Sequence, residues 1–230
     1  MESPQLKPPI VFLGPSLRVE QARQVLPEAL YLPPVKRSSL KPFLDNPPSA
    51  IGIIDGEFYQ SLALSTQEIL PFLDRGVPVF GSSSMGALRA VELEVHGMVG
   101  VGRIFEEFRS EHLDADDEVA MTFCPDTLRP LSEPMVNIRI AVAAAGRHGH
   151  LSPVERRALL RRMKALYFPE RNVPRLFVEA AGLISEERLH ALRTWWLTSA
   201  PNAKGEDAVE LLRRIAQLRQ NQVDGEGRQP

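Results

Sequence analysis

Four short, predominantly apolar runs fall within the first 80 residues, and their spacing limits the fold more than any other feature. Each run has the length of a β-strand and is followed by Gly, Pro or Asp, which are typical turn residues. Helix-compatible segments separate consecutive runs, and strands that are apolar along their length belong to parallel sheets covered by helices on both faces. We predict a Rossmann-like α/β fold, a parallel sheet with flanking helices, with strands at residues 10–13, 29–32, 51–54 and 77–80.

The second half of the chain has a different pattern. A glycine-rich connection and a helix at residues 104–112 lead to a further candidate strand at residues 119–124. From there the pattern is mainly α-helical, with predicted helices at residues 133–145, 153–167, 173–181, 186–197 and 207–220. The expected domains are an α/β core at residues 8–130, a helical C-terminal region at 131–223 and a disordered polar tail at 224–230.

Composition argues against several classes of function. The net charge of −2 is unlike that of a nucleic-acid-binding protein. The single cysteine, Cys124, excludes an internal disulfide and a four-cysteine zinc site. No apolar run approaches the ~20 residues that span a bilayer. We expect a cytoplasmic protein with no membrane or nucleic-acid partner, no metal and no cofactor, and a homo-oligomer stays an open alternative.

Polar and small residues follow three of the predicted strands, in the segments Gly14-Pro-Ser16, Asp55-Gly-Glu57 and residues 81–86. In open parallel sheets, ligands bind beyond the carboxyl ends of the strands. We therefore expect these loops to converge on one crevice. Their candidate binding residues are Gly14, Ser16, Gly81, Ser82, Ser83 and Gly86.

The third loop, Ser82-Ser-Ser84-Met-Gly86, joins a predicted strand to a predicted helix. Its spacing is similar to the nucleophile elbow of hydrolases, where small flanking residues permit a strained strand-to-helix turn. Ser84, at the centre, is a candidate catalytic nucleophile. Two other interpretations stay open: the serines cap the helix, or N–H groups at the helix start bind an anion such as phosphate.

A serine nucleophile needs a base within hydrogen-bond reach. His96 follows Ser84 by twelve positions, which is about 18 Å along a helix at ~1.5 Å per residue, so it is too distant. Asp55 and Glu57 end a neighbouring predicted strand, and their carboxylates are the candidate general bases.

Arg89 lies one and a half turns into the helix that follows the serines. One interpretation turns its guanidinium toward the Ser84 loop, where it would bind a substrate carboxylate or thiocarboxylate. The other is an i,i+3 ion pair with Glu92 on a solvated helix face.

With these motifs in view, the chain resembles the TfuA-like family, whose members are encoded with YcaO enzymes in pathways of peptide thioamidation. The resemblance covers about the first 140 residues, and its specificity comes from the serial order of the motifs. They lie at residues 11–17, 32–35, 51–56, 79–90, 97–105, 116–120 and 131–139.

The resemblance implies a role in sulfur delivery. It implies hydrolysis of the C-terminal thiocarboxylate of a ubiquitin-like sulfur carrier, with the sulfide passing to a YcaO enzyme that converts a peptide amide to a thioamide. Two histidines of the family pattern, within residues 65–69 and near residues 122–125, are replaced here. The alternatives are a non-catalytic partner that activates YcaO and, less favoured, a phosphate- or nucleotide-binding domain, since neither the Gly-x-Gly-x-x-Gly nor the P-loop pattern occurs.

Overall fold

Among the residues described by the computed structural model, 7–57 and 62–226, five short strands form one parallel sheet in the order β2-β1-β3-β4-β5. All four strand pairs are parallel, which confirms the predicted α/β class. The strands are β1 (Ile10–Phe12), β2 (Leu30–Leu32), β3 (Ile51–Ile53), β4 (Val79–Ser82) and β5 (Val99–Val101).

Two features of the sheet differ from the prediction. The strand β5 lies within the glycine-rich segment that was expected to be a connection, and Gly100 is required there because a Cβ would lie 2.1 Å from the Phe105 ring. Residues 119–124, expected to form a strand, form none; only an isolated bridge joins Phe123 to Pro130. The backbone pairs locally instead, because the Cys124 N–H donates to the Arg129 carbonyl and the Leu131 N–H donates to the Thr122 carbonyl.

The helices of the described ranges begin and end close to the predicted positions, except near the C-terminus. None of them combines the length and apolarity needed to cross a membrane. They are α1 (Val19–Val25), α2 (Leu70–Leu73), α3 (Met85–Leu93), α4 (Arg103–Arg109), α5 (Met135–Arg147), α6 (Pro153–Ala165), α7 (Val173–Ala181), α8 (Glu186–Ser199) and α9 (Ala203–Glu226).

Helix α9 is longer than predicted and packs on one face of the sheet. Val11, Gly52 and Phe80 stand in one register row across β1, β3 and β4. A Cβ at Gly52 would lie 3.0 Å from the side chains of Leu211 and Ile215, so α9 lies directly over the middle of that row. The helix also includes residues 224–226, which were predicted to begin the disordered tail; residues 227–230 lie outside the described ranges.

Helix α3 packs closely against the sheet near the carboxyl ends of β3 and β4. A Cβ at Gly86 would lie 1.7 Å from the carbonyl oxygen of Ile53, and one at Gly81 would lie 2.1 Å from the carbonyl oxygen of Gly86. Only glycine fits at both positions, because the obstacles are backbone atoms. These two glycines bring the start of α3 within contact distance of the sheet.

The chain divides into two compact units that do not follow chain order. One contains the described residues up to Asp114 and those from Lys204 onward, and the other contains residues 115–203. The expected boundary at residue 130 differs from this division in two ways: residues 115–130 fall in the second unit, and α9 joins the first because it packs on the sheet. Its residues Ala208, Leu211 and Ile215 share a core with the strands and with α1.

The second unit is built from α5–α8 around a core that includes Met135, Leu159 and Trp196. The acidic segment before α5 is held by an ion network, in which Arg139 donates two hydrogen bonds of 2.8 Å to Glu118. Burial alone would raise the pKa of Glu118, but the hydrogen bonds from Arg139 and Lys164 outweigh it and lower that pKa. Glu118 is thereby fixed as a structural anion of this unit.

Candidate functional site

The sheet reverses its winding direction between β1 and β3, and Asp55 lies just beyond the carboxyl end of β3 at that point. Its carboxylate accepts three hydrogen bonds from the loop after β1: from the Gly14 N–H at 2.8 Å, the Ser16 N–H at 3.0 Å and the Ser16 hydroxyl at 2.6 Å. The first two predicted loops therefore meet, as expected for a switch point in a parallel sheet.

Ser16 binds the carboxylate of Asp55 and does not cap the helix that follows it. That helix, α1, begins only at Val19, with Arg18 at the N-cap. The Ser16 hydroxyl instead donates to Asp55. Both residues are buried, so this bond fixes the carboxylate inside the protein.

A lysine that the sequence analysis did not select completes the site. Lys204, in the first turn of α9, donates a hydrogen bond from Nζ to Ser84 Oγ at 3.0 Å. The same Nζ lies 3.7 Å from Asp55 Oδ1. The exposed fractions of Ser84, Lys204 and Asp55 are 2%, 1% and 1%. The structure thus groups a hydroxyl, an ammonium and a carboxylate away from bulk water.

The backbone turns sharply at the three serines. Ser83 has a left-handed φ of 62°, which is uncommon for a residue other than glycine. Ser84 follows with φ −133° and ψ −122°, and its N–H donates to the Ser82 carbonyl at 2.6 Å. The Ser83 hydroxyl donates to the Lys204 carbonyl at 2.8 Å and lies 3.2 Å from the Ser82 hydroxyl. Ser83 thus connects the turn to α9.

The capping interpretation of these serines is wrong for Ser84. That residue holds the N-cap position of α3, but its side chain makes no capping hydrogen bond. Its Oγ accepts from Lys204 instead. Gly81 and Gly86 have a packing role, since neither position has room for a Cβ, and the Gly86 N–H donates to the Ile54 carbonyl at 3.4 Å.

Two other predicted site residues have their contacts elsewhere. The Glu57 carboxylate lies 3.6 Å from Lys36 Nζ. Arg89 donates to the Leu64 carbonyl at 2.8 Å and pairs with Glu92, which is the i,i+3 arrangement rather than the one directed at Ser84. Arg89 also lines an open surface cavity of about 630 Å³ together with Ser65, Thr66, Gln67, Leu70, Glu92, Leu93 and His96.

Another buried carboxylate lies one turn further along α9. Asp207 accepts from the N–H groups of Arg103 at 2.9 Å and Ile104 at 2.7 Å, and so caps the start of α4. Burial is the main reason that the pKa of Asp207 rises to about 6. A Cβ at Gly102, where φ is 92°, would lie 2.3 Å from this carboxyl group. Asp207 therefore fixes the first turns of α9 against α4.

A signal for Lys204 does exist in the sequence. Lys204, Ala208, Leu211 and Ile215 follow the i, i+4, i+7, i+11 spacing of a single helix face, and the last three are core residues. A charged side chain on an apolar stripe needs a buried partner. The pattern could have identified Lys204 as unusual, although not its neighbours Ser84 and Asp55.

A serine whose oxygen is hydrogen-bonded to a lysine amine is one of the recurring variants of the nucleophile-and-base arrangement in acyl transfer. The site contains that pair on a strand-to-helix turn, beside a carboxylate that stabilises the ammonium. Within the described ranges, no group of three or more His, Cys, Asp or Glu side chains is placed to hold a metal ion.

The chain matches a known protein family over part of its length. The family model described as TfuA-like protein matches residues 55–172, which is slightly more than half of the chain. The matched segment contains Asp55 and Ser84 but ends before Lys204. No curated protein matches the chain.

Proposed function

The chain belongs to the TfuA-like family, and from this premise we propose that it hydrolyses the C-terminal thiocarboxylate of a ubiquitin-like sulfur carrier. The sulfide released would serve peptide backbone thioamidation by a YcaO enzyme. The observation that supports this function best is the hydrogen bond of 3.0 Å between Lys204 Nζ and Ser84 Oγ in a buried site.

Hydrolysis of a thiocarboxylate is an acyl transfer, so it requires a nucleophile, a partner for its proton and donors for the developing oxyanion. Ser84 supplies the nucleophile, and Lys204 is its proton partner. The residue after an elbow serine commonly supplies an oxyanion donor. Here that residue is Met85, whose N–H has no acceptor in the part of the chain that the structure describes.

The charge of the site suits an anionic substrate. A thiocarboxylate is negatively charged near neutral pH, and the Lys204 ammonium offers the opposite charge next to Ser84. The N-terminus of the nine-residue helix α3 adds a favourable dipole. Asp55 holds the ammonium in place, and its three hydrogen bonds from Gly14 and Ser16 keep its own position fixed.

The phosphate-binding alternative would place the anion at the helix start after Gly81, where it needs free N–H groups. The Ser84 N–H donates to the Ser82 carbonyl, and the Gly86 N–H donates to the Ile54 carbonyl. Two N–H groups of this turn are therefore already engaged, which weakens that alternative.

One observation favours the role of a non-catalytic YcaO partner as the second candidate. Ser84 is only 2% exposed, so a carrier terminus reaches its Oγ only if neighbouring residues move. A buried Ser84, Lys204 and Asp55 network would then serve only to hold α9 on the sheet.

One experiment separates the two candidates. The purified chain is incubated with a thiocarboxylated sulfur carrier, and sulfide is measured with and without YcaO. We expect the chain alone to release sulfide and the Ser84→Ala variant to release at least a hundredfold less, in line with the loss of a catalytic nucleophile. The activator role predicts no sulfide from the chain alone, but faster YcaO turnover when free sulfide is supplied. Unchanged hydrolysis by Ser84→Ala would contradict the nucleophilic role of Ser84.

A further inference from the structure

We infer that Lys204 carries the proton of Ser84 to the departing sulfur, so that hydrolysis passes through an ester between Ser84 and the carrier. This inference rests on the proposed function and adds the path of the proton, through Lys204 to the sulfur, and the covalent intermediate. Its geometric basis is the position of Nζ, 3.0 Å from Ser84 Oγ and 3.7 Å from Asp55 Oδ1.

The chemistry of the substrate sets the need for a proton carrier. A thiocarboxylate already bears one negative charge, so attack by an alkoxide would place two charges on the tetrahedral intermediate. Sulfur would then have to leave as a dianion, which is prohibitively basic. If the sulfur is protonated as the C–S bond breaks, it leaves as hydrosulfide. An ammonium beside the nucleophile can supply that proton and neutralise the substrate at the same time.

In the first step, the Ser84 O–H bond breaks as Oγ forms a bond to the terminal carbonyl carbon. Lys204 gives one ammonium proton to the sulfur and takes the proton from Oγ, so the charge on Nζ is the same before and after. The C–S bond breaks and hydrosulfide leaves. The balance is RCOS⁻ + Ser–OH → RCO–O–Ser + HS⁻.

In the second step, water attacks the ester carbonyl and the bond from carbon to Oγ breaks. Lys204 returns a proton to Oγ and takes one from the water. The balance is RCO–O–Ser + H₂O → RCOOH + Ser–OH, after which the carrier acid ionises. Because Nζ exchanges protons without a net loss, it stays an ammonium paired with Asp55 through the whole cycle.

Asp55 is poorly placed to exchange protons with Ser84 directly. Its Oδ1 accepts the Ser16 hydroxyl at 2.6 Å, and its Oδ2 accepts two N–H groups. The contact to the reacting serine is made by Lys204 and not by Asp55. Asp55 is therefore a positioning residue that fixes the ammonium, and Lys204 is the catalytic residue.

The test uses Lys204→Arg in the full-length chain, because arginine keeps the positive charge but does not give up its proton. We expect sulfide release from the thiocarboxylated carrier to fall at least a hundredfold, the usual range for general acid–base catalysis. Carrier binding, measured by titration calorimetry, serves as the control and should change little. Sulfide release within tenfold of wild type would overturn the inference.

A second variant keeps the test decisive if arginine prevents folding. Lys204→Ala leaves space for a small amine, and we expect added ethylamine to restore sulfide release in proportion to its concentration. Guanidinium, which carries charge without exchanging its proton, should not. Equal recovery with guanidinium, or no recovery with ethylamine in a folded variant, would show that Lys204 is not a proton carrier.

The covalent ester is tested by rapid acid quenching and intact mass spectrometry. We expect a species with the summed masses of the chain and the thiocarboxylated carrier, less one H₂S, and we expect none with Ser84→Ala. Hydroxylamine should divert the same intermediate to a carrier hydroxamate. Sulfide release with neither product would overturn the ester while leaving the proposed function intact. An absence of sulfide from the wild-type chain would overturn both.

Discussion

Replacing Ser83 by glycine should separate the stability of the fold from catalysis. Ser83 is fully buried, has a φ of 62° and donates from its hydroxyl to the Lys204 carbonyl at 2.8 Å. Glycine and alanine variants both lose this hydrogen bond, which is worth about 1 kcal/mol. Only Ser83→Ala keeps the left-handed strain of about 1 kcal/mol that glycine avoids. We therefore expect Ser83→Gly to be about 1 kcal/mol more stable than Ser83→Ala.

A difference of that size corresponds to a change in Tm of roughly 2–4 °C for a chain of this length, which calorimetry can resolve. Catalytic activity should not follow this difference in stability, because both variants lose the hydrogen bond that joins the serine turn to the first turn of α9. A displacement of about 1 Å between reacting groups costs up to ~100-fold in rate. We expect sulfide release to fall at least tenfold in both variants and by similar factors. If Ser83→Gly keeps wild-type activity while Ser83→Ala loses it, activity follows backbone strain and the positioning argument is refuted.

Three further changes test other contacts. Gly86→Ala places a Cβ 1.7 Å from the Ile53 carbonyl oxygen. The unfolding free energy measured by urea denaturation should therefore fall by at least about 3 kcal/mol, or no folded protein should form. Stability near that of wild type would contradict the close packing of α3. Asp55→Asn removes the charge that holds Lys204, and sulfide release should fall at least tenfold while carrier affinity stays within about twofold; equal activity would show that the carboxylate charge is dispensable. Burial raises the pKa of Asp207 from 3.8 to about 6, so the folded state binds a proton there between these pH values. The unfolding free energy of wild type relative to Asp207→Asn should therefore decline by roughly 3 kcal/mol as the pH rises through that interval. A flat or rising difference would contradict the burial argument.

The sheet was predictable from sequence because its strands are short apolar runs that must be covered on both faces. The loop after β1 and Asp55 were predictable for the same reason, since parallel strands bring their carboxyl ends to one edge. Strand β5 escaped prediction because Gly100 resembles a turn residue. Gly100 is needed because the Phe105 ring packs against its Cα, and only the folded structure reveals that contact.

Lys204 was harder to predict because it is 120 positions from Ser84 in the chain. The first strands constrain their own loops, but nothing local indicates that the last helix returns to the sheet. The contact depends on Leu211 and Ile215 packing against the row that contains Gly52. Ser84 could therefore be selected from its turn, whereas its hydrogen-bond partner Lys204 required the tertiary structure.

Two energetically unfavourable features, a buried ion pair and a left-handed backbone, lie next to Ser84. Their occurrence together favours catalysis over a purely structural network. A buried ion pair such as Asp55 with Lys204 is usually no more stabilising than an apolar pair of similar volume. Ser83 adds a left-handed backbone that costs on the order of 1–3 kcal/mol. A network that only held α9 on the sheet would gain nothing from these features, because the apolar face of Leu211 and Ile215 already provides that attachment. Their retention beside a serine hydroxyl is explained if the ammonium must be held at hydrogen-bond distance from Ser84 Oγ, which is the geometry that acyl transfer requires.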